Sequence, residues 1–128
     1  MSVDEDLRRV EAHFSVDLPA DYKNYVREHG AFSDFLGNDF LSILPAAELI
    51  AYSEAAELQM RCPKVIVIGS DGSRELLAFD FRSAPPCLVL LDIAAADWSA
   101  AMHQAETFTS FLEAFEKRGW IFNEPSGT

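Results

Sequence analysis

Apolar positions along the chain change period several times, and each change marks an element. Val3, Leu7, Val10 and Phe14 recur at intervals of four, three and four, which predicts one buried stripe on a helix over residues 3–13. Ser2 followed by Glu5 has the spacing of a capping box at its start. After a break at 15–18, Pro19 suits the first position of a second helix. Tyr22, Tyr25, Val26 and His29 share a face of it, and Gly30 suits its end. Residues 31–39 hold Gly, Asn and two exposed-looking aromatics, Phe32 and Phe35, and read as a loop; 40–44 reads as a short strand. From Pro45 onward, Leu49, Tyr52, Ala56 and Met60 predict a third helix with Glu54 and Glu57 toward solvent, stopped by Cys62-Pro63.

The stretch VIVIGSDGSRELLAFDF, residues 65–81, is the centre of the pattern. Two runs of branched and aromatic residues flank a Gly-Ser-Asp-Gly-Ser corner, which predicts a β-hairpin with strands over 64–68 and 75–81. In the second strand Leu77, Phe79 and Phe81 form a consistently apolar face. Two prolines make 83–86 a loop, and the unbroken run at 87–91 fits a strand covered on both faces. Residues 92–105 read as either a short helix or a last strand. Thr107 can cap a final helix in which Phe108, Phe111, Leu112 and Phe115 share a face, with Lys117 and Arg118 at its negative end and Gly119 beyond; Ile121 and Phe122 can pack back. The expectation is an α+β fold: a single domain over 1–122, a largely antiparallel sheet around the central hairpin at about 64–81, N-terminal helices and a C-terminal helix packed on it, and a flexible tail at 123–128.

Composition adds a core and a charge. Apolar residues make up 49% of 128 residues and ten are Phe, so a packed interior is expected. Net charge is −11, and two stretches hold all of it: six acids without a base from Glu28 to Glu57, and five without a base from Ser83 to Glu116. Such a field repels nucleic acid and anionic lipid and attracts basic partners. No run reaches the roughly 20 apolar residues of a membrane helix. The acidic amino terminus does not resemble a secretion signal, so the expected location is cytoplasmic, with neither membrane nor nucleic acid as partner.

Candidate chemistry is sparse. Cys62 and Cys87 lack metal-binding spacing and read as buried thiols. His13 and His29 fall near helix ends, and His103 has only Glu106 at a helical spacing. The Gly69–Ser73 corner lacks the Lys and the following helix of a phosphate loop. Asp71, Glu75, Asp80 and Asp92 read as turn and strand-end residues in preference to cation ligands. The expectation is therefore no enzyme, no cofactor and no metal. Phe32, Phe35 and Trp98, large apolar residues within the base-free stretches, suggest a protein-binding surface instead.

Three motifs in order strengthen that reading. Leu18-Pro19-Ala20-Asp21-Tyr22 with Tyr25-Val26 and Gly30, Ile68-Gly69-Ser70-Asp71-Gly72 through Leu76–Asp80, and Phe108-Thr109-Ser110-Phe111-Leu112 together resemble the signatures of the SUKH superfamily, over Leu18 to Phe115. Ser73 and Arg74 replace further glycines usual there, and Glu75 replaces an Asp. The resemblance implies an α+β fold without catalytic residues. For bacterial members it implies an immunity protein that neutralises a cognate toxin, commonly a nuclease; eukaryotic relatives imply a regulatory interaction module instead. An acidic inhibitor that imitates a polyanion on a basic nuclease surface fits the charge. The residues expected to carry binding are Asp34, Asp39, Asp92 and Asp97, with Phe35 and Trp98 as anchors.

Overall fold

The computed structural model describes residues 2–122. Helix α1 (Val3–Phe14) and helix α2 (Ala20–His29) lead into strands β1 (Phe32–Leu36) and β2 (Asp39–Ile43). A broken helical stretch follows, with α3 (Leu49–Glu54) and the single turn α4 (Leu58–Arg61) set among short 3-10 turns. Strands β3 (Val65–Ser70), β4 (Glu75–Asp80), β5 (Cys87–Asp92) and β6 (Met102–Ala105) and helix α5 (Phe108–Arg118) complete the chain. The six strands form one sheet in sequence order, every neighbouring pair antiparallel, with the hairpin β3–β4 at its centre. This is the expected α+β arrangement.

Capping explains where the well-read helices start and stop. Ser2 Oγ accepts the Glu5 amide at 3.1 Å, and Thr107 Oγ1 accepts that of Ser110 at 3.1 Å while Ser110 Oγ accepts the Thr107 amide at 3.2 Å. Pro19 stands one position before the first helical residue. In the central hairpin Asp71 Oδ1 accepts the Ser73 amide at 2.8 Å and the Glu75 amide at 3.2 Å, fixing the corner. Gly69 is required by packing: a Cβ there would collide with the Ser42 carbonyl of β2.

The helices α1, α2 and α5 cover one side of the sheet. Tyr22 of α2 is fully buried, edge-on to Phe79 of β4 at 5.3 Å and to Phe108 of α5 at 5.2 Å. Leu7, Val10, Val26, Phe111 and Phe115 complete that layer. Each such buried side chain contributes about 2–3 kcal/mol in area terms. Burial also raises the pKa of the Tyr22 phenol, whose oxygen has no hydrogen-bond partner.

Four expectations change. Residues 31–39 are not a loop: they form β1 and the start of β2, joined by a tight turn at Gly37-Asn38. The third helix is not continuous, because Ala56 (φ 52°) and Glu57 (φ 59°) break it in the left-handed region. Leu49 and Leu58 are buried, whereas Tyr52 and Met60 of the anticipated apolar face are exposed. This broken segment has its own task at the sheet edge. Ser53 Oγ accepts the Val67 amide at 2.8 Å, and Gln59 Nε2 donates to the Val65 carbonyl at 2.8 Å, satisfying the part of β3 that β2 leaves unpaired. Strand β4 is buried on both faces, Leu76 and Ala78 as well as Leu77 and Phe79. Residues 92–105 contain both anticipated forms, a 3-10 turn at Trp98–Ala100 and strand β6. The tail expected to be flexible, 123–128, lies outside the described residues.

Candidate partner-binding surface

The expected contact residues fall into two groups, separated in the sheet order by β3 and β4. The first is the β1–β2 hairpin at one edge. Its register pairs Leu36 with Asp39 and Phe35 with Phe40 across the two-residue turn. The alternation of an antiparallel ladder then directs the Phe35 amide away from β2 to the free edge. Asp34 Oδ1 accepts that amide at 2.7 Å, so the edge is partly masked by its own carboxylate. Phe35 is 64% exposed and rests edge-on against Phe40 at 5.5 Å. Phe32 and Leu36, on the other face of β1, are half-buried against the core.

Asp39 has a different occupation. Its Oδ2 accepts the Trp120 amide at 3.0 Å, just past α5, and the Trp120 indole donates to the Phe40 carbonyl at 3.1 Å. Next in the chain, the Ile121 amide donates to Gln104 Oε1 at 3.0 Å, and Gln104 Nε2 donates to the Ile121 carbonyl at 2.7 Å. Residues 119–121 thus tie β2 to β6. Gly119 (φ 72°) permits the exit from α5, and a Cβ there would meet the Asp39 carboxylate. Ile121 is half-buried as expected, whereas Phe122 is 62% exposed. The roles of Trp120 and Gln104 carry no sequence signal beyond the stop at Gly119.

The second group lies on the β5–β6 connection. Asp92 Oδ1 accepts the Ala94 amide at 2.9 Å, and Asp97 Oδ1 accepts both the amide and the hydroxyl of Ser99 at 2.9 Å. The bonds from Ser99 hold the Asp97 carboxyl below the usual range. Trp98 is half-buried: its indole donates to the Pro63 carbonyl at 2.9 Å, and the Arg82 guanidinium stacks 4.4 Å above the ring. Arg82 in turn grips the buried Asp80 with Nη2 at 2.8 Å and Nε at 3.0 Å. Burial alone would raise the Asp80 pKa, but the hydrogen bonds and charge of Arg82 outweigh it and hold the carboxyl below its ordinary value. Opposite Asp92 across the ladder stands Glu75, whose pKa is raised by burial, then by Asp92 and Asp71.

Two concave surfaces were not anticipated. A groove of about 800 Å³ lies between the α1–α2 junction and the loop after β4, lined mainly by Phe14, Val16, Leu18, Phe81, Pro85 and Pro86. Two contiguous depressions of about 430 and 450 Å³ lie between α2, α5 and the inner face of β1, sharing Tyr25, His29, Leu112 and Glu113. Their residues come from segments some eighty positions apart, which explains why periodicity alone does not find them. Among the described residues, no group of three or more His, Cys, Asp or Glu could hold a metal ion, and no helix is long and apolar enough to cross a membrane. Cys62 is buried, Cys87 half-buried, and burial raises both thiol pKa values. His13 Nε2 lies 2.7 Å from Glu54 Oε2 near the end of α1, His29 ends α2, and His103 is exposed on β6.

The sequence profile of the SMI1 / KNR4 family (SUKH-1) matches residues 3–114. No curated protein matches the chain in sequence. The match spans both groups of expected contact residues, α1, α2 and the first part of α5.

Proposed function

Because the chain belongs to the SMI1 / KNR4 family, we propose that it is a cytoplasmic immunity protein that binds and neutralises a cognate toxin domain, a nuclease, without catalysing a reaction. The observation that carries this reading is the β1–β2 edge. Phe35 stands in solvent on a free strand edge, Asp34 beside it in the chain, within a stretch that holds six acids and no Lys or Arg. An exposed aromatic on an edge strand, next to an acid in an acid-rich stretch, fits a partner that is basic with an apolar pocket. A nuclease surface that holds phosphates is such a partner, and an acidic inhibitor covers it by occupying the place of the polyanion. Asp34 and Phe35 make direct contact in this reading. Asp39, Asp92 and Asp97 add to the attracting field while their carboxylates hold the backbone, and Trp98 shapes the neighbouring loop.

Co-expression with a candidate toxin domain, sought in the adjoining reading frame, tests the reading. Survival with the intact protein and loss of survival with Phe35→Ala combined with Asp34→Asn is the expected result. Calorimetry should show affinity falling steeply with salt. A toxin that kills regardless, with no heat of binding at low salt, overturns the reading. A deletion strain that is unharmed by contact with siblings, yet altered in an envelope or stress response, would favour a housekeeping regulatory module in its place.

A further inference from the structure

We infer that the groove between α2, α5 and β1 is the seat of a basic amphipathic segment of the partner protein; the inference rests on the partner-binding reading above and names the chemistry of the contact. The floor of the groove is apolar. Tyr25 of α2, Phe32 and Leu36 of β1 and Leu112 of α5 are half-buried there, packed on the core yet open on one side. Its rim is acidic: Glu28 at the end of α2, and Glu113 and Glu116 along α5, all exposed.

The bases of the surrounding elements face elsewhere. Lys23 and Arg27 of α2 are turned to α1, where they pair with Glu11 and Asp4. Lys117 and Arg118 line a neighbouring depression on α5 that shares only Glu113 with the groove. His29 is the sole basic side chain lining the groove among the described residues. Asp21, at the far end, is engaged in holding the Thr109 amide at 2.9 Å and its hydroxyl at 3.0 Å. Glu28 lies 3.8 Å from His29 Nε2, and the exposed Glu113 and Glu116 carry the rest of the rim's negative charge. An apolar floor with a rim of one sign selects a segment that presents a stripe of apolar side chains flanked by Lys or Arg. A neutral or acidic amphipathic segment would leave the glutamates unpaired or repelled. The groove adjoins Asp34 and Phe35 through β1, so one partner can engage both.

A leucine–lysine amphipathic peptide and its leucine–glutamate counterpart, titrated separately into the full-length isotope-labelled protein, provide the test by amide chemical shifts. The expected result is movement concentrated in the segments containing Tyr25, Phe32, Leu36, Leu112 and Glu116 with the lysine peptide, and none with the glutamate peptide. The exposed substitutions Glu113→Gln and Glu116→Gln should each weaken lysine-peptide binding roughly threefold at low salt without altering the melting temperature appreciably. Leu112→Gln should weaken it in high salt as well, where charge pairing is screened. Shifts centred instead on Phe14, Phe81 and Pro85, equal binding of the two peptides, or unchanged affinity in the glutamine variants would overturn the inference. The toxin domain separates it from the broader reading. Equal toxin affinity for the intact protein and for the double glutamine variant overturns the groove while leaving neutralisation standing. A peptide seated in the groove without any toxin binding does the reverse.

Discussion

At the β1–β2 end of the sheet Asp34 and Phe35 stand in solvent, whereas at the β5–β6 end Asp92, Asp97 and Trp98 are held by their own surroundings. Both ends come from base-free sequence with a large aromatic, so composition does not separate them. Position relative to the ladder does. Asp71, Asp80, Asp92 and Asp97 each accept the amide two residues further on, at Ser73, Arg82, Ala94 and Ser99. Each stands at a strand end or in a connection, where that amide is free to be captured. Asp34 is inside a strand, where the amide two residues on belongs to Leu36, paired across the hairpin with Asp39. An acid in a connection becomes a bracket for the backbone two residues on; Asp34, within an edge strand, holds only the adjacent Phe35 amide and stays exposed to a partner.

Substitutions at the two ends sharpen the contrast. Trp98→Ala should have the largest effect, about 2–3 kcal/mol, since it removes half-buried area, the bond to Pro63 and the platform under Arg82. Chemical denaturation measures it, and a loss as small as that of Phe35→Ala would break the distinction. Asp39→Ala should cost about 1–2 kcal/mol by releasing the Trp120 amide, which would make Asp39 structural in spite of its place on the exposed hairpin.

Acid should act through the cluster beneath Trp98. The folded Asp80 carboxyl titrates below its unfolded value, so its contribution is complete above about pH 4 and is lost as pH falls through the lower folded value. Melting curves recorded from neutral to acidic pH should show that loss, and Asp80→Asn should flatten this part of the profile. Glu75 has the opposite sign, because a raised folded pKa costs stability as pH rises through it. Glu75→Gln should therefore raise stability at neutral pH by about 0.5 kcal/mol, as it removes a like charge opposite Asp92. Smallest of all, Phe35→Ala and Asp34→Asn should change stability by less than about 0.5 kcal/mol while lowering partner affinity.

Much of the fold can be read from residues alone, for identifiable reasons. The hairpin β3–β4 announces itself by apolar runs around an Asp-Gly corner, and α1, α2 and α5 by stripes between recognisable caps. Strand β1 does not, because as an exposed edge it lacks the alternation that burial imposes, and Gly37-Asn38 reads as a loop when it is a hairpin turn. The break after α3 falls on Ala56 and Glu57, residues that ordinarily favour helix, so nothing local signals it. Of the expected contacts, Asp34 and Phe35 are exposed and make only local contacts, while the engagement of Asp39 depends on Trp120, eighty-one positions later. The groove is less legible still, since Glu28 and Glu116 come to rim one groove only after α5 has docked.

The link made by residues 119–121 has a consequence for biosynthesis. Strands β2 and β6 are joined through Trp120 and Ile121 after every strand and helix described has been made. A chain emerging from the ribosome can pair its strands one hairpin at a time, but it cannot fasten the first hairpin to the last until that closing segment is released. Until then, the sides of Phe111 and Phe115 that Trp120 covers are open to other chains. Interrupting synthesis before Gly119 should yield a nascent domain more prone to aggregate than its strand content suggests.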